Sequence, residues 1–243
     1  MNKDGRFILF DCMETLIDLR KLPDIRDYAA WGFCGSGTEG LWEDFDSYFR
    51  YYMLARAELG ARLPENADYE MRDRFFQTVR LSFPDMDMGK AAETADRIDE
   101  NYWRNYRGLS YIRDDVREVI PLLAGKYRLG VVSNFMVTGG IEEMLEFHGI
   151  LRYFEFVVVS VSEGWRKPHP AIYKKALENI GPFSGEIVFV GDDYVNDYVA
   201  PGNLGMKPVY LDRFGRRPEL EDRVEDFYQL RDRLGVPPGD NPV

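Results

Sequence analysis

The chain has 243 residues, 45% of them apolar, and 42 acidic against 31 basic side chains give it a formal net charge of −11. That content is enough for a substantial core in one domain or two, while the acidic balance excludes a nucleic-acid partner, which would need basic patches to displace counterions from phosphates. No apolar run approaches the roughly 20 residues that cross a bilayer, and the first residues lack the apolar segment of a signal peptide, so a cytoplasmic protein without membrane association is expected.

A strand is predicted over Arg6 to Phe10, and Asp11 follows it directly in FDCMETLID. Cys12 and Cys34 have neither CxxC nor Cys/His spacing, so both are expected to be reduced thiols rather than part of a disulfide or zinc site. Cys12 is expected to point away from Asp11 and Met13, since side chains alternate along an extended chain. More than a hundred residues then separate this strand from the next, far more than one crossover requires. Helices are predicted at about Leu41 to Leu59, Asp68 to Leu81 and Lys90 to Tyr106, divided by the turn formers of GARLPEN and FPDMDMG. Residues 17–109 therefore read as an all-helical insert, whose 16 aromatics, Trp31, Trp42 and Trp103 among them, suit a core of its own. The glycine-rich WGFCGSGTEG at 31–40 is expected to be a flexible loop or a plain linker.

Four further apolar, β-branched runs follow, at Leu129 to Val132, Phe156 to Val161, Ile187 to Val190 and Pro208 to Leu211. Helical patterns separate them, including Gly140 to Phe147 and Pro170 to Ile180. Continuous apolar runs alternating with helices imply parallel strands covered on both faces. The expected fold is α/β, a doubly wound core of residues 1–16 and 110–243. The terminal RLGVPPGDNPV reads as a frayed tail.

Ligands of open α/β sheets bind beyond the carboxyl ends of the strands, so the residues there are the candidates. Asp11 ends the first strand, Ser133 and Asn134 the second; Lys167 follows the third, and Asp192 and Asp193 the fourth. Asp11 and Asp192, if brought together, would repel, so either one is protonated or a cation lies between them. Hard oxygen donors suit Mg²⁺, with a substrate phosphate as a further ligand. A carboxylate in that setting can attack phosphorus and form an aspartyl-phosphate that water cleaves. Ser133 and the amides after it can bind phosphoryl oxygens at a helix start, and Lys167 can neutralise Asp11.

These residues resemble the four motifs of the haloacid dehalogenase superfamily, in order and each at a strand end: Asp11 to Thr15 in DCMETL, Ser133 in LGVVSNF, Lys167 in RKPHPAIY, and Asp192, Asp193 and Asp197 in VGDDYVND. The resemblance implies a Rossmann-like core and, for the insert, a helical cap domain that closes over the substrate and selects it. It implies Asp11 as nucleophile, Ser133 and Asn134 as substrate binders, Lys167 steadying the nucleophile, and Mg²⁺ held by Asp11, Asp192 and the Met13 carbonyl. Asp193 and Asp197 are auxiliary candidates, as caps of the following helix or as a hold on Lys167.

Met13 departs from the family's phosphatases, which usually have a second Asp there to protonate the leaving oxygen. Without it, the expected substrate is a small phosphorylated metabolite with a good leaving group, or another residue supplies the proton, or the reaction differs. Haloalkanoate dehalogenases also lack that acid and need no metal, but where their halide-binding Arg is expected after Trp42 this chain has Glu43. Phosphonoacetaldehyde hydrolases need a lysine in the cap, and none occurs between residues 24 and 89. Glu14 stands where the family commonly has Gly and is a candidate substitute acid. His148 and His169 have no partner that argues for catalysis. The leading expectation is a Mg²⁺-dependent hydrolase, monomer or homodimer. The alternatives are a metal-independent dehalogenase and a weakly active phospho-ligand binder.

Overall fold

The computed structural model describes residues 5–238. The chain divides into two compact units, one formed by residues up to Asp18 together with those from Tyr111 onward, the other by Leu19–Ser110. In chain order, β1 (Arg6–Phe10) and the short β2 (Asp18–Leu19) precede four helices: α1 (Ile25–Phe33), α2 (Phe45–Arg62), α3 (Met71–Ser82) and α4 (Met88–Leu109). The chain then runs through β3 (Ser110–Tyr111), α5 (Asp114–Lys126), β4 (Arg128–Ser133), α6 (Gly140–Phe147), β5 (Phe156–Val159), α7 (Ser160–Glu163) and α8 (Pro170–Ile180). It ends with β6 (Glu186–Gly191), α9 (Ala200–Asn203), β7 (Lys207–Leu211), β8 (Arg223–Val224) and α10 (Phe227–Arg233).

Six strands form one sheet in the order β5-β4-β1-β6-β7-β8, every pairing parallel. Phe7, Ile8, Leu9 and Phe10 are all fully buried, which is why β1 carries an unbroken apolar run rather than alternation. Phe7 and Leu9 pack with Val132, Tyr173 and Phe189 on one face, and on the other Phe10 stacks on Phe227 of α10, ring centroids 5.8 Å apart. The strand order reverses between β1 and β6, the switch point at which a doubly wound sheet opens a crevice. Two features exceed the sequence reading. β8 is a sixth strand of only two residues, too short for a periodicity signal. β5 stops at Val159, where Ser160 starts the short α7 in place of the expected continuation to Val161.

The helical unit corrects the reading of residues 31–40 as a loop. Trp31, Gly32 and Phe33 close α1, which no expected helix covered. Gly32 is there for packing: a Cβ on it would come within 2.9 Å of Ile98 and 3.0 Å of Phe75. The carboxylate of Glu39 accepts from the Gly35 amide and draws the following turn onto itself. From α4, the buried Asn101 amide donates to the carbonyls of Trp31, Gly32 and Cys34 at 2.9, 3.0 and 2.9 Å, serving the carbonyls that a helix end leaves orphaned. Phe33, Trp42 and Tyr48 form the aromatic centre, with Phe33 and Tyr48 centroids 4.8 Å apart and Trp42 and Tyr48 5.1 Å apart.

The terminal segment is likewise tied down over its described part. The Tyr127 hydroxyl donates to Leu234 O at 2.7 Å and the Lys126 ammonium to Gly235 O at 3.1 Å, and Val236 is buried. The rest of the expected tail, 239–243, lies outside the described residues. No described helix is long and apolar enough to cross a membrane.

Because one buried side-chain amide serves three carbonyls at the end of α1, Asn101→Ala should destabilise the protein by about 2 kcal/mol. Urea unfolding of the variant, followed by tryptophan fluorescence, checks this; an unchanged midpoint would show that water replaces the amide at no cost.

Candidate active site

β1 and β6 run side by side with Phe10 opposite Val190, and the Asp11 amide still donates to Val190 O at 2.9 Å. Asp11 and Asp192 therefore leave adjacent strands at the switch point. The Lys167 ammonium is 2.7 Å from Asp11 Oδ1 and 2.7 Å from Asp197 Oδ1, with all three side chains buried. Burial alone would weaken the Lys167 ammonium, but the carboxylates of Asp11 and Asp197 outweigh it and hold its pKa above the ordinary value. The loop carrying Lys167 is fixed by Asn134, whose amide nitrogen donates to Lys167 O at 3.0 Å and whose oxygen accepts from Lys167 N at 2.6 Å. Asn134, expected to bind substrate, thus has its side chain committed to the lysine loop. The Lys167–Pro168 peptide bond is cis.

Carboxylate oxygens of Asp11, Asp192 and Asp197 lie within 4.8 Å of one another. One ammonium does not balance three such groups, and burial together with the Asp11 and Glu14 charges pushes Asp192 up to about 7. The donor set is hard and anionic, so it fits Mg²⁺. Asp197 has little left to offer a cation, for its second oxygen accepts from Asp193 N at 3.0 Å. Asp11 and Asp192 retain free valence, and the Met13 carbonyl receives no hydrogen bond among the described residues. Thr15 is buried with its hydroxyl 3.4 Å from Asp192 Oδ1.

Asp193 and Asp197 divide the auxiliary tasks. Asp193 is exposed and caps the turn that follows, accepting from Val195 N and Asn196 N at 2.9 and 2.8 Å. That turn, Tyr194–Val199, is π-helical, a form often found at functional sites, and it returns Asp197 to Lys167. Asp197 passes so close to Gly191 that a Cβ there would sit 2.4 Å from its carboxyl carbon, so only glycine fits the end of β6.

Ser133 is fully buried, and its hydroxyl has no hydrogen-bond partner among the described residues. The expectation of phosphoryl-binding amides at a helix start beyond it is only partly met. α6 starts at Gly140, and the Phe135 amide is taken by the Ser160 hydroxyl at 2.9 Å. His169 caps α8 through Nδ1 and stacks on Trp165 at 4.0 Å. Cys12 is buried, which pushes its thiol pKa well up.

The sequence reading missed the arginines behind the loop that follows Asp11. Asp18, 2% exposed, accepts from Arg113 at 2.5 Å and from two nitrogens of Arg213, each at 2.9 Å. Arg213 also donates to Glu14 O at 2.6 Å, and Arg113 to Thr15 O at 3.0 Å. Glu14 itself has φ 60°, the left-handed region, a conformation that glycine adopts without strain. Its carboxylate is 3.4 Å from Arg213. Aspartate and arginine 195 residues apart leave no local signal, apart from the strand-end position of Arg213 just past β7.

Residues 75–210 match the family model described as haloacid dehalogenase-like hydrolase. Haloacid dehalogenase-like hydrolase domain-containing protein 3 of Xenopus laevis is 46% identical over 93% of this chain and 91% of its own length. The glyceraldehyde 3-phosphate phosphatase of Pyrococcus abyssi is 30% identical over 87% of this chain and 82% of its own. The 2-haloacid dehalogenase of Pseudomonas syringae pv. Tomato DC3000 superposes with a TM-score of 0.74, covering 95% of this chain and 98% of that one, at 20% identity, a likeness of fold alone.

Asp192 ionises near 4 in the unfolded chain but at about 7 when folded, so the folded protein keeps a proton that the unfolded chain releases. Its contribution to stability is present at low pH and fades as pH rises through about 7. With chelator present, the melting temperature should fall between about pH 5 and about pH 8, and Asp192→Asn should flatten that fall. An equal slope in the variant would refute the charge excess at this site.

Proposed function

The chain belongs to the haloacid dehalogenase-like hydrolase family, and from that premise we propose that it is a Mg²⁺-dependent phosphatase acting on a small phosphorylated metabolite through an aspartyl-phosphate on Asp11. The observation that carries the reading is the excess of buried carboxylate over ammonium around Lys167, which suits a divalent cation with a phosphate beside it. The substrate named for the Pyrococcus relative, glyceraldehyde 3-phosphate, is a small phosphate ester of the kind proposed.

Asp11, Asp192 and the Met13 carbonyl would hold the cation, which when bound supplies positive charge to the phosphoryl oxygens and the carboxylates around them. Lys167 holds Asp11 aimed, and Asp197 keeps Lys167 in place. The unpartnered Ser133 hydroxyl donates to a phosphoryl oxygen. An Asp11 carboxylate oxygen attacks phosphorus, the bond to the ester oxygen breaks, and the leaving group departs with the bonding pair. Water then attacks the aspartyl-phosphate, releasing inorganic phosphate, a proton to solvent, and the restored carboxylate.

Met13 has no proton to give the leaving oxygen. Glu14 is a poor replacement, because its carboxylate is already engaged by the Arg213 guanidinium 3.4 Å away. General acid help is worth about 10²–10⁴ in rate, so the enzyme should depend on its leaving group. An aryl or acyl phosphate should release phosphate faster than a sugar phosphate, by about 10²-fold or more. Chelator and Asp11→Asn should each abolish release, and Ser133→Ala should lower kcat by about 10²-fold. Phosphate assays across this panel, with 2-chloropropionate as a control, check the reading. Chloride release that is insensitive to chelator, with no phosphate from any ester, would overturn it in favour of a dehalogenase.

A further inference from the structure

A chain of net charge −11 repels the anions that a phosphatase must bind, so a local group of cations beside the site has consequences. One lies in the segment Arg213-Phe214-Gly215-Arg216-Arg217, just past β7. β6 and β7 are parallel neighbours with Gly191 opposite Tyr210, so Asp192 and this segment leave the same edge of the sheet side by side. The buried Asp212 carboxylate accepts from Arg216 N at 2.6 Å and Arg217 N at 3.0 Å and curls the segment into a turn. Arg213 fastens the turn to the Asp11 loop through Glu14 O. The Arg217 guanidinium lies 4.2 Å from the ring centroid of Tyr194, two residues past Asp192. Tyr210 links the two sides: burial and the Asp212 and Asp192 charges push its phenol up, and Arg216 and Arg217 pull it back.

Arg213 is spent on Asp18, and Arg217 stands 3.5 Å from Glu219. Arg216 is exposed, and no carboxylate of the described residues pairs with it. Its guanidinium lies 5.0 Å from the ring centroid of Phe214, itself 68% exposed. Stacking on an aromatic face limits the freedom of an arginine while leaving its planar fork available to a carboxylate.

Resting on the phosphatase reading of the neighbouring site, we propose that Arg216 is a second anion-recognition point, so that preferred substrates carry a carboxylate in addition to the phosphate held beside Ser133 and Lys167. The test compares 3-phosphoglycerate with glycerol 3-phosphate, which differ in a carboxylate against a hydroxymethyl group. In the Asp11→Asn protein, with Mg²⁺, calorimetry should give 3-phosphoglycerate the tighter Kd by about tenfold. Adding Arg216→Gln should remove that difference by weakening 3-phosphoglycerate alone, and Arg216→Lys should restore part of it. Equal affinities in the parent, no binding of either compound, or an equal loss for both would overturn the proposal. With Asp11 intact, release of phosphate from an aryl phosphate should be the same with Arg216 or Gln. If neither form releases phosphate while the affinity difference holds, the phosphatase reading fails and the Arg216 site stands.

Discussion

The buried ammonium of Lys167 between Asp11 and Asp197 is the constraint around which the site is built. Ion pairs in protein interiors return little net stability, because two desolvation costs offset the attraction, yet removing one partner costs about 3–5 kcal/mol. Such a pair is therefore a means of fixing position. Asp11 is fixed by the end of β1, Asp197 by a π-helical turn after β6, and the main chain of Lys167 by the amide of Asn134. Gly191 belongs to the same construction, since any side chain there would displace Asp197. A third carboxylate, Asp192, adds to a set in which one ammonium already faces two carboxylates, and the cluster is a donor set of the kind a divalent cation takes.

Much of this was legible in the sequence because strands buried on both faces are continuous apolar runs, and the first polar residue after each run marks where the sheet stops. That signal located Asp11, Ser133 and Asp192; Lys167 lies six residues past the third run and stood out through RKPHPAIY. The strand-end signal could not divide the work between Asp193 and Asp197. The division depends on a turn of π geometry, which a search at period 3.6 does not register. α1 was missed because its nine residues end in Trp-Gly-Phe followed by further glycines, a composition that reads as loop. Its stability comes from Asn101, far along the chain, and from a glycine chosen for closeness to Ile98 and Phe75. The two-residue strands β2, β3 and β8 carry no periodicity at all.

The loop from Cys12 to Asp18 takes its shape without help from the side chain at position 13. Cys12 O accepts from Thr15, Leu16 and Ile17, so the backbone coils tightly just after Asp11. Glu14 has to adopt φ 60° in that coil, at a cost of about 1 kcal/mol for a residue with a Cβ. Arg213 and Arg113 offset this by holding the Glu14 and Thr15 carbonyls from outside and sharing the Asp18 carboxylate. The conformation that presents the Met13 carbonyl is thus imposed by residues remote in sequence and does not depend on the side chain at 13.

It follows that Met13, where an acid could stand, leaves the placement of Asp11 undisturbed, because the side chain at 13 carries none of the hydrogen bonds that shape the loop. Glu14 cannot readily move into the role. Its backbone is bound at the carbonyl, and its carboxylate faces the same guanidinium that stabilises the loop. On the proposed reading, a site constructed in this way would keep Asp11, Lys167 and the cation ligands in place while giving up protonation of the leaving oxygen. The proposed chemistry would then be limited by the stability of the departing anion. Selection among phosphate esters would rest on that property and on the groups beyond the phosphate that the turn after β7 can reach.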